Sequence, residues 1–144
     1  MQLEFKNANI NDIDTIYNLN KQLIDMYEDV ESIEYEKVLA WVKRKITKYI
    51  NEYTCVVLNN QTVGYYYFHQ DEARMEIDDL YVLPEYQNKG IGSKILEKCC
   101  LETRLPIYLY VFSKNVRAIA LYERFGFKII ENINNSRYIM QRDM

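Results

Sequence analysis

Three carboxylates in one strand-like run (Glu76, Asp78 and Asp79), a phenol at Tyr122 and a glycine bend at Gly90-Ile91-Gly92 could do chemistry in this chain. A carboxylate can take a proton from an ammonium, and a phenol can support a leaving group. A glycine bend that feeds a helix can hold phosphate. Successive strand residues alternate faces, so Glu76 and Asp78 share one side, Asp79 takes the other, and the three cannot all serve one centre. Asn115 and Tyr122 are seven residues apart, nearly two helical turns, which would project both from one side of a helix with Ala118 between them.

The bend lies in "PEYQNKGIGSKIL", residues 84 to 96, which holds two of only four glycines in the chain. An apolar run precedes it and a helical pattern follows. A helix start offers unpaired backbone N–H groups and the positive end of the helix dipole, and Lys89 and Lys94 add local positive charge. Gly90 and Gly92 let the main chain approach a ligand where a Cβ would collide. A Walker A loop does not fit, and a dinucleotide fingerprint fails because Ile95 occupies its third glycine position. For Gly-x-Gly alone, a plain strand-to-helix turn reads equally well.

The elements that must position these groups follow from periodicity. Residues 3 to 8 alternate as a short strand, and Asn11 can cap a helix striped by Ile13, Ile16, Tyr17, Leu23, Ile24 and Tyr27. A second helix carries Val38, Leu39, Val42, Ile46, Tyr49 and Ile50. Between the stripes, "DMYEDVESIEYE" places six carboxylates in twelve residues. From residue 53 the period becomes that of strands: YTCVVL, a turn at NNQT, VGYYYFH, a break at QDEAR, then MEIDDLYV, an antiparallel meander. A helix from about 91 to 104, with Ile91, Ile95, Leu96 and Cys99 inward, crosses to the strand "IYLYVF" after Pro106, so the strands before and after it should be parallel. A helix from Asn115 to Phe125 stops at Gly126, and "GFKIIE" and "SRYIMQ" end the chain as strands joined at NINN. The expectation is α+β: one domain over residues 1–144, a mixed, mostly antiparallel sheet of about seven strands with one parallel pair, and about four helices.

Composition narrows the function classes. Half the 144 residues are apolar, enough for one core. No secretory signal or bilayer-length apolar run stands out, which points to a soluble, cytoplasmic protein with no membrane partner. A net charge of −3 speaks against nucleic acid and for a cationic partner. Cys55, Cys99, Cys100 and the single histidine, His69, offer no metal-ligand spacing, so no metal is expected and the thiols are read as buried and reduced. The tyrosines of "YYYF" read as sheet aromatics.

Gln87-Asn88-Lys89-Gly90-Ile91-Gly92 matches Q/R-x-x-G-x-G/A, and "NVRAIALYERFGF", starting 23 residues after Gly92, matches N-x-x-A-x-x-L-Y-x-x-x-G-F. In that order and spacing the pair resembles the GNAT N-acetyltransferase superfamily, in detail over residues 75 to 130. The resemblance implies acetyl-coenzyme A as cosubstrate, its pyrophosphate held by backbone amides from Asn88 to Ser93, with Gln87, Lys89, Gly90, Ile91 and Gly92 in the same loop. It implies that the main chain of Leu80 and Val82 pairs with pantetheine where the fourth strand (75 to 82) and the fifth (107 to 112) splay apart. It assigns Asn115 a contact to pantetheine or its phosphates. Tyr122 becomes hydrogen-bond donor or general acid to the coenzyme A sulfur. Lys114, Arg117 and Arg124 are candidates for the 3′-phosphate, although a solvated helix face accounts for them equally.

Acyl transfer to an amine needs a neutral nitrogen, yet an alkyl ammonium with pKa near 10.4 is neutral to only about one part in 2,500 at pH 7. A base is therefore expected. Glu76, eleven residues before Gln87 where several family members carry a catalytic glutamate, is the choice; Asp78, Asp79 and a water chain stay open. A backbone N–H near Leu80 to Val82 is expected at the oxyanion. Cys99 and Cys100 lie inside a helix, which favours direct attack over a cysteine intermediate. In this family the first two helices and their connector wall the acceptor pocket, and the carboxylates Asp25, Glu28, Asp29, Glu31, Glu34 and Glu36 there suggest a small cationic amine. The alternatives are a peptide or protein lysine or amino-terminal acetyltransferase, and a non-catalytic acyl-coenzyme A sensor. The apolar strand "RYIM" is a candidate for pairing between subunits of a homodimer.

Overall fold

The computed structural model describes residues 1–143, which divide into two compact units. The first comprises Met1–Tyr67 with Tyr81–Leu83, and the second Phe68–Leu80 with the chain from Pro84 onward. In the first, β1 (Glu4–Asn7), β2 (Thr54–Leu58) and the start of β3 (Gln61–Asp71) are antiparallel, with Phe5 opposite Val56 and Cys55 opposite Tyr65. Asn59 and Asn60 both take positive φ (51° and 64°), the two-residue turn that matches strand twist. The helices α1 (Ile13–Tyr27) and α2 (Tyr35–Tyr49) bury Ile16, Leu19 and Ile24, and Leu39, Val42 and Ile46, respectively. Tyr67 stacks on the half-buried Tyr49 and packs against Tyr53, with centroids 5.6 and 4.9 Å away, and Tyr53 and Tyr67 are core.

The helix start differs from the expected cap at Asn11. Asn9 accepts the Asn11 N–H at 2.9 Å, and Asp12 accepts the Asn9 N–H at 2.9 Å. This reciprocal box caps a short 3-10 turn over Ile10–Asp12, and α1 follows it. The cap lies two residues earlier because Asn9, not Asn11, has the extended backbone a cap requires.

In the second unit, β4 (Arg74–Val82, here to Leu80) leads to α3 (Ile91–Leu101), β5 (Ile107–Phe112), α4 (Val116–Arg124), β6 (Lys128–Ile133) and β7 (Arg137–Arg142). Ile91, Ile95, Leu96 and Cys99 are buried on α3. That helix ends three residues short of 104: Leu101 is 79% exposed, Thr103 accepts the Leu105 N–H, and Leu105 precedes a proline that disfavours helical backbone. β4 and β5 are parallel, as a helical crossover requires. Strand order across the seven-stranded sheet is β1-β2-β3-β4-β5-β7-β6. The α+β expectation therefore holds, with seven strands, one parallel pair and four α-helices among the described residues.

The expectation for "RYIM" fails. β7 pairs with β5 on one side (Leu109 opposite Met140) and with β6 on the other (Ile129 opposite Met140), so both its edges are occupied. β6 is the edge on this side, and Ile129 and Ile130 are half exposed there. Met140 is fully buried where the two ladders meet. Met140→Ala should destabilise the protein by about 2–5 kcal/mol, measurable by urea unfolding.

No helix among the described residues is long and apolar enough to cross a membrane. All three cysteines are free. Burial raises the Cys55 and Cys100 thiols and takes Cys99 to about 12, so none is a ready thiolate.

Candidate active site

Past β4 a 3-10 turn (Pro84–Tyr86) delivers the exposed stretch Gln87–Gly90, in which Asn88 and Gly90 have φ of 64° and 82°. Gly90 is the N-cap of α3 and no side chain caps the helix. The first-turn N–H groups of Ile91, Gly92 and Ser93 have no carbonyl one turn back within the helix, and they lie at its positive end. A Cβ on Gly90 would meet nothing within 4 Å, so its left-handed φ, not crowding within the protein, calls for glycine. The Arg117 guanidinium donates to Asn88 Oδ1, tying the loop to α4. Arg117 is thus occupied with the loop itself; Lys114 and Arg124 are exposed. Lys94 is 4.0 Å from Glu97, and Lys89 sits 5.9 Å from the Tyr86 ring.

The C-terminal end of α4 fixes Tyr122. Gly126 (φ 88°) lets the Phe127 N–H reach back to the Tyr122 carbonyl at 3.1 Å and its own N–H reach Glu123 at 3.0 Å. This is a Schellman cap, and the apolar contact that accompanies it is the Tyr122 ring against Phe127, centroids 5.9 Å apart. Burial raises the Tyr122 hydroxyl to about 12, and the negative charge of Asp79 pushes the same way. Asp79 is the one charged side chain buried among the described residues.

Asn115 departs from the expected common face. It precedes the helix as N-cap, φ −85° and ψ 71°, and its Oδ1 accepts the Ala118 N–H at 3.2 Å. The seven-residue spacing to Tyr122 therefore spans one nonhelical residue, and helical periodicity does not align the two.

β4 and β5 register at Met75 opposite Ile107 and Glu76 opposite Tyr108, and there the ladder stops, although β4 continues through Leu80 and β5 through Phe112. The splay expected from the resemblance is present within this unit. Leu80 lies just past the stop; Val82 ends β4 in the stretch assigned to the first unit.

Glu76 and Asp78 occupy one face of β4 and Asp79 the other, and it is the Asp79 charge that acts on the Tyr122 hydroxyl. Tyr108 Oη donates to Asp71 at 2.5 Å and lies 3.1 Å from Glu76 Oε1, while the Arg74 guanidinium stacks over the Tyr108 ring at 3.9 Å. Burial first, then the hydrogen bond to Asp71, raises the Tyr108 hydroxyl, so it remains a donor.

Sequence reasoning missed His69. Its Nε2 is 3.3 Å from Glu76 Oε1 and 3.3 Å from Asp78 Oδ2. The ligand-type atoms of all three lie within 4.8 Å of one another, a convergence that residue counts did not foretell. One imidazole placed between two carboxylates accounts for that spacing without an ion. The available signal was the hairpin: counted outward from the turn at Glu72 and Ala73, residue 69 falls opposite residue 76.

The acidic connector of the first unit is less open than its composition suggests. Asp25 accepts from Tyr35 at 2.5 Å and from Lys21 at 2.9 Å, bonds that, the Tyr35 one first, hold its carboxyl below the usual range. Glu34 pairs with Lys37 at 3.3 Å, and Asp29 caps the short turn Val30–Ser32.

The family model described as Acetyltransferase (GNAT) family matches residues 13–127. A spermine/spermidine N(1)-acetyltransferase of Bacillus subtilis is 32% identical over 78 residues, a match covering 50% of this chain and 51% of that protein. The match thus spans about half the length of that relative. A spermidine N(1)-acetyltransferase of Thermoplasma acidophilum is 25% identical over 99% of this chain and 98% of its own. The solved structure of a PaiA N-acetyltransferase from Thermoplasma acidophilum, in complex with coenzyme A, superposes with a TM-score of 0.73 at 23% identity, covering 100% of both chains. At that identity the likeness shows the fold.

Proposed function

The chain belongs to the acetyltransferase (GNAT) family, and from that premise we propose that it moves the acetyl group of acetyl-coenzyme A onto a primary amine of a small cationic acceptor by direct attack. The observation that carries the reading is the parallel ladder that stops after Glu76 and Tyr108, beside an uncapped helix start. Where two strands part, main-chain groups can bond a ligand instead of each other, and a group lying there is reachable from both faces of the sheet. The main chain of Leu80 holds pantetheine and supplies an oxyanion donor, and the amides from Asn88 to Ser93 hold the pyrophosphate. Asn115 contributes beside them at the start of α4.

Glu76 accepts the acceptor's proton on one face of β4, and Tyr122 serves the sulfur on the other. A phenol at about 12 facing a thiolate near 8.5 would lose about 5 kcal/mol in a full proton transfer. Tyr122 therefore acts as a hydrogen-bond donor that stabilises the departing thiolate, and water delivers the proton. The cationic acceptor is supported by relatives named for spermine and spermidine and by the carboxylates Asp71, Glu76 and Asp78 on this face. A thioester cosubstrate and three reduced thiols fit a cytoplasmic setting.

Release of coenzyme A thiol should be measured against spermidine, spermine, a peptide amino terminus and an anionic amine. Polyamines should be consumed fastest. Turnover with peptides alone would move the protein to peptide acetylation, and binding of acetyl-coenzyme A without turnover on any amine would make it a sensor.

A further inference from the structure

We propose that His69, resting on Glu76 and Asp78, holds the proton given up by the acceptor ammonium, an inference that rests on the acetyl-transfer reading and adds a residue to it. His69 stands on β3 across from β4, with Nε2 3.3 Å from a carboxylate oxygen of each neighbour. Its side chain is 26% exposed, Glu76 14% and Asp78 22%, so the three are screened from water but still reachable. A proton on Nε2 faces two carboxylates at once.

The magnitudes favour the imidazole as the resting place. With ordinary side-chain values, moving a proton from an alkyl ammonium to a carboxylate is unfavourable by about a million-fold, and to an imidazole by about ten-thousand-fold. Passing the proton from Glu76 to His69 therefore recovers about a hundredfold. In this unit the charged and titratable groups that the register puts on the same face are Asp71 from β3, Arg74, Glu76 and Asp78 from β4, Tyr108 and Tyr110 from β5, Lys128 from β6 and Arg137 from β7. Tyr108 has one proton and gives it to Asp71, the nearer acceptor.

The step balances as follows. One N–H bond of the ammonium breaks, its proton going to Glu76 and on to Nε2. The nitrogen lone pair forms the C–N bond at the thioester carbonyl, and the C–S bond breaks with its electron pair on sulfur. A second proton leaves the new amide nitrogen and matches the one the thiolate takes from water. The imidazolium then releases its proton to solvent. His69 acts through Glu76 and is a positioning and proton-holding residue.

Because the chain has a single histidine, its imidazole titration can be followed by NMR on the intact protein without ambiguity. The acid limb of kcat/KM for spermidine should coincide with that titration to within about 0.3 pH unit. His69→Gln should be about a hundredfold slower at pH 7, lose the acid limb, and still bind coenzyme A by calorimetry. A His69→Gln rate within about threefold of the parent with the limb retained overturns the inference and leaves the acetyl-transfer reading standing. Should the variant not fold, a separation of more than about one pH unit between limb and titration in the parent protein overturns it as well. No turnover of any amine by the parent protein removes both.

Discussion

Tyr122→Phe lowers turnover about a hundredfold and leaves the affinity for acetyl-coenzyme A within about twofold, as expected for a donor that acts only as charge develops on sulfur. Phenylalanine keeps the ring against Phe127 and the backbone cap that Gly126 closes, so the helix end and the fold persist. The hydroxyl is already held near 12 by burial and by Asp79, so its removal takes away a hydrogen bond and no titrating proton. The pH profile of the variant should therefore keep the parent's shape between pH 6 and 9, a range in which the Tyr122 hydroxyl stays protonated. Stopped-flow thiol release and calorimetry check both halves. Unchanged turnover would remove Tyr122 from the chemistry, and a large loss of cosubstrate affinity would make it a binding group.

Gly90→Val weakens acetyl-coenzyme A binding by about a hundredfold or more. A β-branched residue at φ 82° is strongly disfavoured, so the bend must rebuild itself. Nothing in the protein lies within 4 Å of the added Cβ, so collision within the fold is not the cause. The cost falls on the amides from Asn88 to Ser93, whose charge-assisted bonds to a diphosphate contribute about 1.5–3 kcal/mol each. Loss of two such bonds suffices for the expected effect. Calorimetry with acetyl-coenzyme A on parent and variant decides it, with circular dichroism as the control for fold. Equal affinities would mean that the bend does not hold the diphosphate.

Much of the architecture was legible before any coordinates. The short apolar run YTCVVL and the pattern of MEIDDLYV gave strands of the meander, and the stripes of Ile16 with Ile24 and of Leu39, Val42 and Ile46 gave the inward faces of two helices. Gly126 marked the end of α4 because a residue in left-handed conformation there lets two carbonyls be satisfied. The cap at Asn9 was missed because Asn9 and Asn11 are equally good capping types, and the choice depends on which backbone is extended when Tyr65 donates to Asp12 at 2.6 Å.

The sequence by itself determined the order of elements, the crossover that makes β4 and β5 parallel, and the glycine bend with its later partner at Asn115 to Phe127. Each of these depends on local backbone preference or on a short spacing along the chain. Tertiary structure alone decided that β7 enters between β5 and β6, that the β4–β5 ladder stops after Glu76, and that the charge of Asp79 reaches the Tyr122 hydroxyl. It also decided that His69 lies between Glu76 and Asp78. Pairing and facing set these outcomes between residues distant in the chain, and a one-residue change of register would turn each side chain to the opposite side of the sheet.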